Sequence, residues 1–346
     1  MTETKTLVKL GWQSFFQQQL SLDEWGSVVP ARIVEQYRSQ ITVSAESTVY
    51  TLDILPLMPE MVVGDWILLD ADSRFVRLLE RKTCFSRKAA GSQLKQQLIS
   101  ANVDVAFIVT SMNEDFNLNR IERFLSVVNE AGAEPVIVLS KSDLVHGSES
   151  YIEQIRSLDP LLAVEAVNCL DIEELAKLQP WLQESSTCVM LGSSGVGKST
   201  LTNTLLGNDL QTTSEIRVDD SKGRHTTTRR SLVCVANGGL ILDTPGMREI
   251  QLSDCKSGIT STFNDIDMFS EECQFNNCQH LGEPGCRVQQ AINAGELDQR
   301  RLKNYQKLLS EEARNSASLS ERRANDKALS KFYKNTQSQN SKFKGR

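Results

Sequence analysis

The relative order of two short motifs constrains this chain more than any other feature. The stretch "GSSGVGKST" occupies residues 192–200, and "LSKSDL" lies upstream of it at residues 139–144. The first matches G-x-x-x-x-G-K-[ST] and sits between a strand-like run, "TCVML", and a helix-like run, "KSTLTNTLLG". Such a loop turns backbone N–H groups toward phosphate oxygens, lets Lys198 reach the outer phosphates and offers Ser199 to Mg²⁺. The candidate phosphate contacts are therefore Gly192, Ser193, Ser194, Gly195, Val196, Gly197, Lys198, Ser199 and Thr200.

The upstream motif addresses the base. "SKSD" resembles the N-K-x-D guanine motif of GTPases, with Ser140 where Asn is commonest. A carboxylate at Asp143 accepts from the ring N–H and the exocyclic amino group of guanine; adenine has no such donor pair on that edge, so it would leave the acid unpaired. The stem of Lys141 can lie over the ring. Two further stretches complete the set. "LILDTPG" delivers Asp243 toward Mg²⁺ and the Gly246 N–H toward a γ-phosphate. "GRHTTTRR" supplies threonines to a switch segment, Thr227 being the preferred Mg²⁺ ligand, although T-T-T is also an ordinary β-prone run.

In an ordinary GTPase the phosphate loop comes first and the guanine motif last. Here the order is rotated, which is tolerable when the old termini lie close together and the new ones open at a surface loop. The runs "VDVAFIVTS" and "AEPVIVLSKSDL" enclose a helical pattern, "NRIERFLSVVNEAG", ending at Gly132. With "LLAVEAVN", "TCVMLGSS" and "SLVCVANGGLILDTPG", the alternation predicts a parallel α/β sheet with helices on both faces.

Outside that region the periodicity changes. Five short β-rich runs between residues 28 and 84 predict a small barrel, an oligonucleotide-binding (OB) fold being one candidate. Arg81, Lys82, Arg87 and Lys88 follow it, as a phosphate-tracking patch or a solvated linker. Five of the eight cysteines are scattered, whereas Cys273, Cys278 and Cys286 cluster around His280 as C-x4-C-x-H-x5-C, a complete Cys₃His set for a closed, structural tetrahedral Zn²⁺ site. The chain carries a formal net charge of −6, yet residues 311–346 hold nine Lys/Arg against four acids, a basic tail suited to polyanions or simply a frayed helix end. Neither a leader pattern nor an apolar run of bilayer-spanning length is read, so a cytoplasmic protein without a membrane partner is expected.

These motifs in this order resemble the RsgA family of circularly permuted GTPases, factors in small ribosomal subunit biogenesis. The resemblance implies a multidomain chain: an extension (1–27), an OB-fold barrel (28–84), a circularly permuted α/β P-loop GTPase domain (85–252), an α-rich zinc-binding domain (253–310) and the tail (311–346). It further implies GTP hydrolysis stimulated by the small ribosomal subunit, contact of the zinc domain with rRNA, and zinc on Cys273, Cys278, His280 and Cys286. GTP/GDP, Mg²⁺ and one Zn²⁺ are the expected cofactors, and a monomer is expected.

Met247 follows the D-x-x-G motif where many GTPases place a water-orienting Gln. His225 on the switch segment is the alternative catalytic group beside Lys198, and the resemblance points to the same His; a lone His is also commonly structural. Two other readings stand against the hydrolase. One is a GTP-gated RNA-binding scaffold with negligible turnover, kept open by Met247 and the acidic charge. The other is an ATP-dependent small-molecule kinase, which Asp143 disfavours. The segment "AVNCLD" around Asn168 and Cys169, where a base-backing loop belongs, is left unassigned.

Overall fold

The computed structural model describes residues 6–46, 48–88, 96–207, 230–235, 238–243 and 255–316. The first described elements are a 3-10 turn (Val8–Leu10) and a short turn of helix α1 (Ser14–Gln17), then strands β1 (Val29–Gln36), β2 (Gln40–Ala45), β3 (Thr48–Asp53), β4 (Trp66–Leu69) and β5 (Phe75–Leu78). These are the five expected runs. Strand β1 pairs antiparallel with β2 along one part and with β4 along another, and a register shift between Ile33 and Glu35 marks the bend that lets it serve both. β2 continues to β3 and β4 to β5, a curled sheet whose pairings match a partly open five-stranded barrel; no ladder joins β3 to β5 among the described residues.

The N-terminal segment is part of this unit. Leu10 and Phe16 are buried with Trp66, Leu68 and Leu79, and Trp12 meets Trp66 edge-on at 4.8 Å. Burying side chains of this size contributes roughly 1.5–3 kcal/mol each. Two of the four basic residues after the barrel are engaged internally by acids: Arg81 grips the buried Asp65 through two contacts of 2.7 and 2.8 Å, and Lys82 meets Asp104 at 2.9 Å. A hairpin the sequence reading overlooked, β6 (Cys84–Lys88) with β7 (Gln96–Ala101), links the barrel to the main sheet.

The main sheet holds β8 (Val105–Ser111), β9 (Glu134–Ser140), β10 (Ala163–Val167), β11 (Thr187–Leu191), β12 (Arg230–Cys234) and β13 (Leu240–Asp243) in the order β10-β9-β8-β11-β13-β12. All neighbours are parallel except β12, which runs antiparallel to β13 because Gly238 and Gly239, at φ +107° and +76°, close the connection as a hairpin. β12 then pairs with β1 (Glu35 with Ser231, Gln36 with Arg230), so barrel and main sheet are one continuous eleven-stranded sheet rather than separate layers.

Period-2 alternation sorts the core. On β8, Ala106 and Ile108 join one buried cluster while Phe107 and Val109 join the other, as a strand covered on both faces requires. The first face carries α2 (Leu118–Ala131) and α3 (Glu149–Arg156); the second carries α4 (Lys198–Leu206). α2 starts at Asn117, whose side chain accepts the Arg120 N–H, and stops at left-handed Gly132, where the sequence reading ended it.

The C-terminal part is helical: α5 (Lys256–Thr262), α6 (Asn264–Glu271), α7 (Arg287–Ala294) and α8 (Gln299–Ser316). α8 runs past residue 311, where the charge pattern began the tail. α5 lies directly on α2. A Cβ at Gly258 would sit 2.1 Å from the Ser126 carbonyl oxygen, and Glu130 accepts the Gly258 N–H at 2.7 Å. α8 closes the same face: the buried Glu122 carboxylate accepts from Arg300, Arg301 and Asn304, while Arg123 holds Glu311 at 2.7 and 2.6 Å.

Candidate nucleotide site and metal centre

β11 delivers the glycine loop to the carboxyl edge of the parallel strands, where ligands bind in open α/β sheets. Gly192 has φ +138°, and a Cβ there would lie 2.2 Å from the Val109 carbonyl oxygen, so the loop leaves the strand in a path only glycine fits. Gly197, at φ +101°, caps α4, whose first residues Lys198, Ser199 and Thr200 present the helix N-terminus to the loop. The Lys198 ammonium donates to the Gly192 carbonyl at 2.6 Å and to that of Ser193, which puts the charge inside the loop. Ser194 and Gly195 form its exposed tip, and Val196 tucks into the core.

β9 brings the guanine motif to the same edge. Ser140 is fully buried and its hydroxyl donates to Val196 O at 2.6 Å, beside Thr110 O at 3.3 Å. The residue expected to face nucleotide therefore holds the phosphate loop. Lys141 adopts a left-handed conformation, φ +62°, and turns the chain so that Asp143 projects into solvent at the site's rim.

The segment the sequence left open completes this end. Residues after β10 fold beside the motif: Asn168 Oδ1 accepts the Leu170 N–H at 3.0 Å, and Glu174 accepts the Asn168 N–H at 3.1 Å. The Cys169 carbonyl accepts from Thr204 of α4 at 2.7 Å. Burial, then the Asp143 carboxylate, push the Cys169 thiol up to about 11, so it stays protonated near neutral pH. No charge or motif marks this loop; only its position after β10 could have found it.

β13 lies beside β11 (Val189 with Leu242), so its last residue, Asp243, is exposed next to the loop. Among the described residues the fold thus gathers Ser140, Lys141, Asp143, residues 192–200 and Asp243 at one edge. His225, Thr227, Gly246 and Met247 lie outside the described residues.

The second site is the cysteine cluster. The ligand atoms of Cys273, Cys278, His280 and Cys286 all lie within 4.8 Å of one another. His280 Nδ1 is 3.6 Å from Cys273 Sγ and 3.4 Å from Cys286 Sγ, and those two sulfurs are 4.0 Å apart. Zinc bonds of about 2.0–2.3 Å in a tetrahedron require ligand atoms about 3.5–3.8 Å apart; Cys273, His280 and Cys286 stand close to that spacing and Cys278 completes a donor set consistent with the ion. His280 Nε2 meets the Ser270 hydroxyl at 3.2 Å, leaving Nδ1 for the metal, and burial holds its imidazole below the usual pKa, in the neutral form a ligand needs.

Residues 78–253 match the family model described as RsgA GTPase. The chain is 51% identical over 338 residues to the Vibrio parahaemolyticus protein named small ribosomal subunit biogenesis GTPase RsgA 2, covering 98% of this chain and 94% of that one. The chain belongs to the RsgA GTPase family. A Xanthomonas euvesicatoria relative, named small ribosomal subunit biogenesis GTPase RsgA, is 43% identical over 290 residues, covering 81% of this chain and 80% of its own. Among solved structures, YjeQ from Thermotoga maritima shares the fold with a TM-score of 0.60 at 22% identity, covering 82% of this chain and 98% of that one. YloQ, titled a circularly permuted GTPase, aligns at a TM-score of 0.58 and 25% identity over 82% of this chain and 94% of its own. The rotated motif order is therefore a family trait. Membership makes the chain a GTP hydrolase, which sets aside both the non-hydrolysing scaffold and the kinase. It also implies guanine nucleotide and Mg²⁺.

Proposed function

We propose that this RsgA-family GTPase acts in maturation of the small ribosomal subunit, binding its rRNA according to nucleotide state and hydrolysing GTP faster when bound. Relatives at 51% and 43% identity, named as small ribosomal subunit biogenesis GTPases, support the subunit as partner. The single observation carrying nucleotide control is that α2 bounds both ends of the device: Arg120 in its first turn meets Ser193 of the phosphate loop, and Ser126 on the same helix accepts from Cys255 Sγ at the start of the C-terminal segment.

In this reading residues 192–200 cradle the phosphates, and Lys198 neutralises charge that develops on the transferring group. Asp143 pairs with guanine and the Lys141 stem covers the ring. The loop at Asn168 and Cys169 backs the base. Ser199 and Thr227 hold Mg²⁺, which when bound screens the phosphate oxygens; Asp243 supports that shell and the Gly246 N–H meets the γ-phosphate. His225 orients the attacking water, the role Met247 cannot fill. Cys273, Cys278, His280 and Cys286 hold one structural zinc, replacing a hydrophobic core in a segment too short to build one. Arg300, Lys303 and Lys307 line a recess of about 460 Å³ with Asn119, a cationic surface suited to an RNA backbone.

The same reading takes borders of 28–84 for an OB-type barrel, 85–252 for the GTPase and 253–310 for the zinc domain, in a cytoplasmic monomer. No described helix is long and apolar enough to cross a membrane. The decisive experiment is GTP turnover alone and with purified small ribosomal subunits at moderate salt. Strong stimulation is expected; unchanged turnover would reject the ribosomal reading.

A further inference from the structure

We propose that Arg120 is a positioning residue of the phosphate loop, fixing Ser193 from helix α2; this rests on residues 192–200 being the nucleotide site. Arg120 breaks a local rule. It occupies the third position of α2, where helices favour Glu or Gln, and no acid stands in that first turn. A cation at a helix N-terminus is unfavourable unless something outside the helix uses it.

Its guanidinium supplies that use. Nη1 donates to Ser193 Oγ at 3.0 Å, with a weaker approach to Asp115 O at 3.5 Å. Among the described residues those two acceptors are its side chain's partners, neither of them a carboxylate, although the side chain is half-buried. Ser193 is thus held twice: its hydroxyl by Arg120, its carbonyl by Lys198.

The location gives the contact consequence. Ser140 secures the far half of the loop through Val196. The near half, Ser193 to Gly195, has open space around it at Gly195, and its N–H groups would fan without a second anchor. α2 is a stiff base for that anchor, because Glu122 and Arg123, immediately following Ile121, are tied to α8 by the ion pairs already described.

The test uses the full chain and fluorescent GDP and slowly hydrolysed GTP analogues. Arg120→Ala is expected to weaken binding of both by about tenfold, the loss of one charge-assisted hydrogen bond. It raises KM with kcat little changed, since the loop is held equally before and during the reaction. Arg120→Lys recovers part of the loss because it keeps the charge without the fork. Ser193→Ala weakens binding as well, and Arg120→Ala/Ser193→Ala is no weaker than the stronger single variant. Melting without nucleotide checks folding, and should Arg120→Ala not fold, Arg120→Lys with Ser193→Ala carries the same cycle. Wild-type affinity in Arg120→Ala, or additive losses in the double variant, overturns the proposal. Lys198→Ala separates the two readings: if it abolishes binding while Arg120→Ala keeps wild-type affinity, only the Arg120 role fails; if Lys198→Ala binds normally, the loop assignment itself fails.

Discussion

The hydroxyl of Ser140 donates to the carbonyl of Val196 at 2.6 Å, joining the last residue of β9 to the middle of the phosphate loop fifty-six positions later. The two motifs are distant in the chain and rotated in order, yet one hydrogen bond, reaching past the end of β8 that lies between β9 and β11, makes them a single site. Ser140→Ala removes the donor to the buried Val196 carbonyl, at a cost of about 1–3 kcal/mol. The expected result is weaker binding of GTP and GDP alike, read by nucleotide titration, with guanine preference retained.

Base choice should follow Asp143 instead. Asp143→Asn replaces the acceptor pair with an acceptor and a donor, which suits xanthine. Competition between GTP and xanthosine triphosphate is expected to shift toward the latter; an unaltered ranking would remove Asp143 from base recognition.

Glu122 is fully buried and satisfies two arginines and an asparagine of α8. Glu122→Ala leaves Arg301 without one of its two acidic partners in a buried place, and the cost is expected to be about 3–5 kcal/mol. Urea denaturation measures it. A loss under about 1 kcal/mol would mean that Asp265 alone compensates the charge.

The Arg123 contact holds the Glu311 carboxylate below its usual pKa of 4.5. A depressed acid adds stability that is complete above its unfolded value and lost as pH falls through the folded one. Docking of α8 on α2 is therefore expected to loosen below about pH 4.5. Hydrogen exchange of α8 amides between pH 6 and about 3 reads the decline, and Glu311→Gln removes this component of it.

Zinc content is expected at one ion per chain by atomic absorption. Cys286→Ala removes both a ligand and the sulfur that accepts the Gln289 N–H at the start of α7. It should abolish the metal and expose residues 273–297 to protease, whereas the sheet and nucleotide binding persist. A metal-free wild-type protein with the same protease resistance would refute the site.

What could be read in advance was local. The glycine loop, the Cys₃His set and the five barrel strands declare themselves through spacing within a dozen or so residues, the range over which turn geometry and alternation act. What could not be read depends on partners far along the chain. Nothing near Ser140 reveals that its hydroxyl points at Val196, and "AVNCLD" comes to lie beside the "SKSD" segment only because β10 pairs with β9 in register. Arg81 and Lys82 looked free because Asp65 and Asp104 are far off in sequence. The segment before the barrel carried no signal beyond its aromatics, which acquire meaning only against Trp66.

The pairing of β12 with β1 bears on how rigidly the barrel is carried by the main sheet. Arg32, fully buried where barrel and main sheet meet, donates to carbonyls of Leu10, Gly64 and Asn102 and to the Thr187 hydroxyl at the foot of β11. With backbone hydrogen bonds on one side and this guanidinium on the other, the barrel has no slack hinge. Whatever the barrel touches is therefore felt at the same sheet that carries the phosphate loop at its edge.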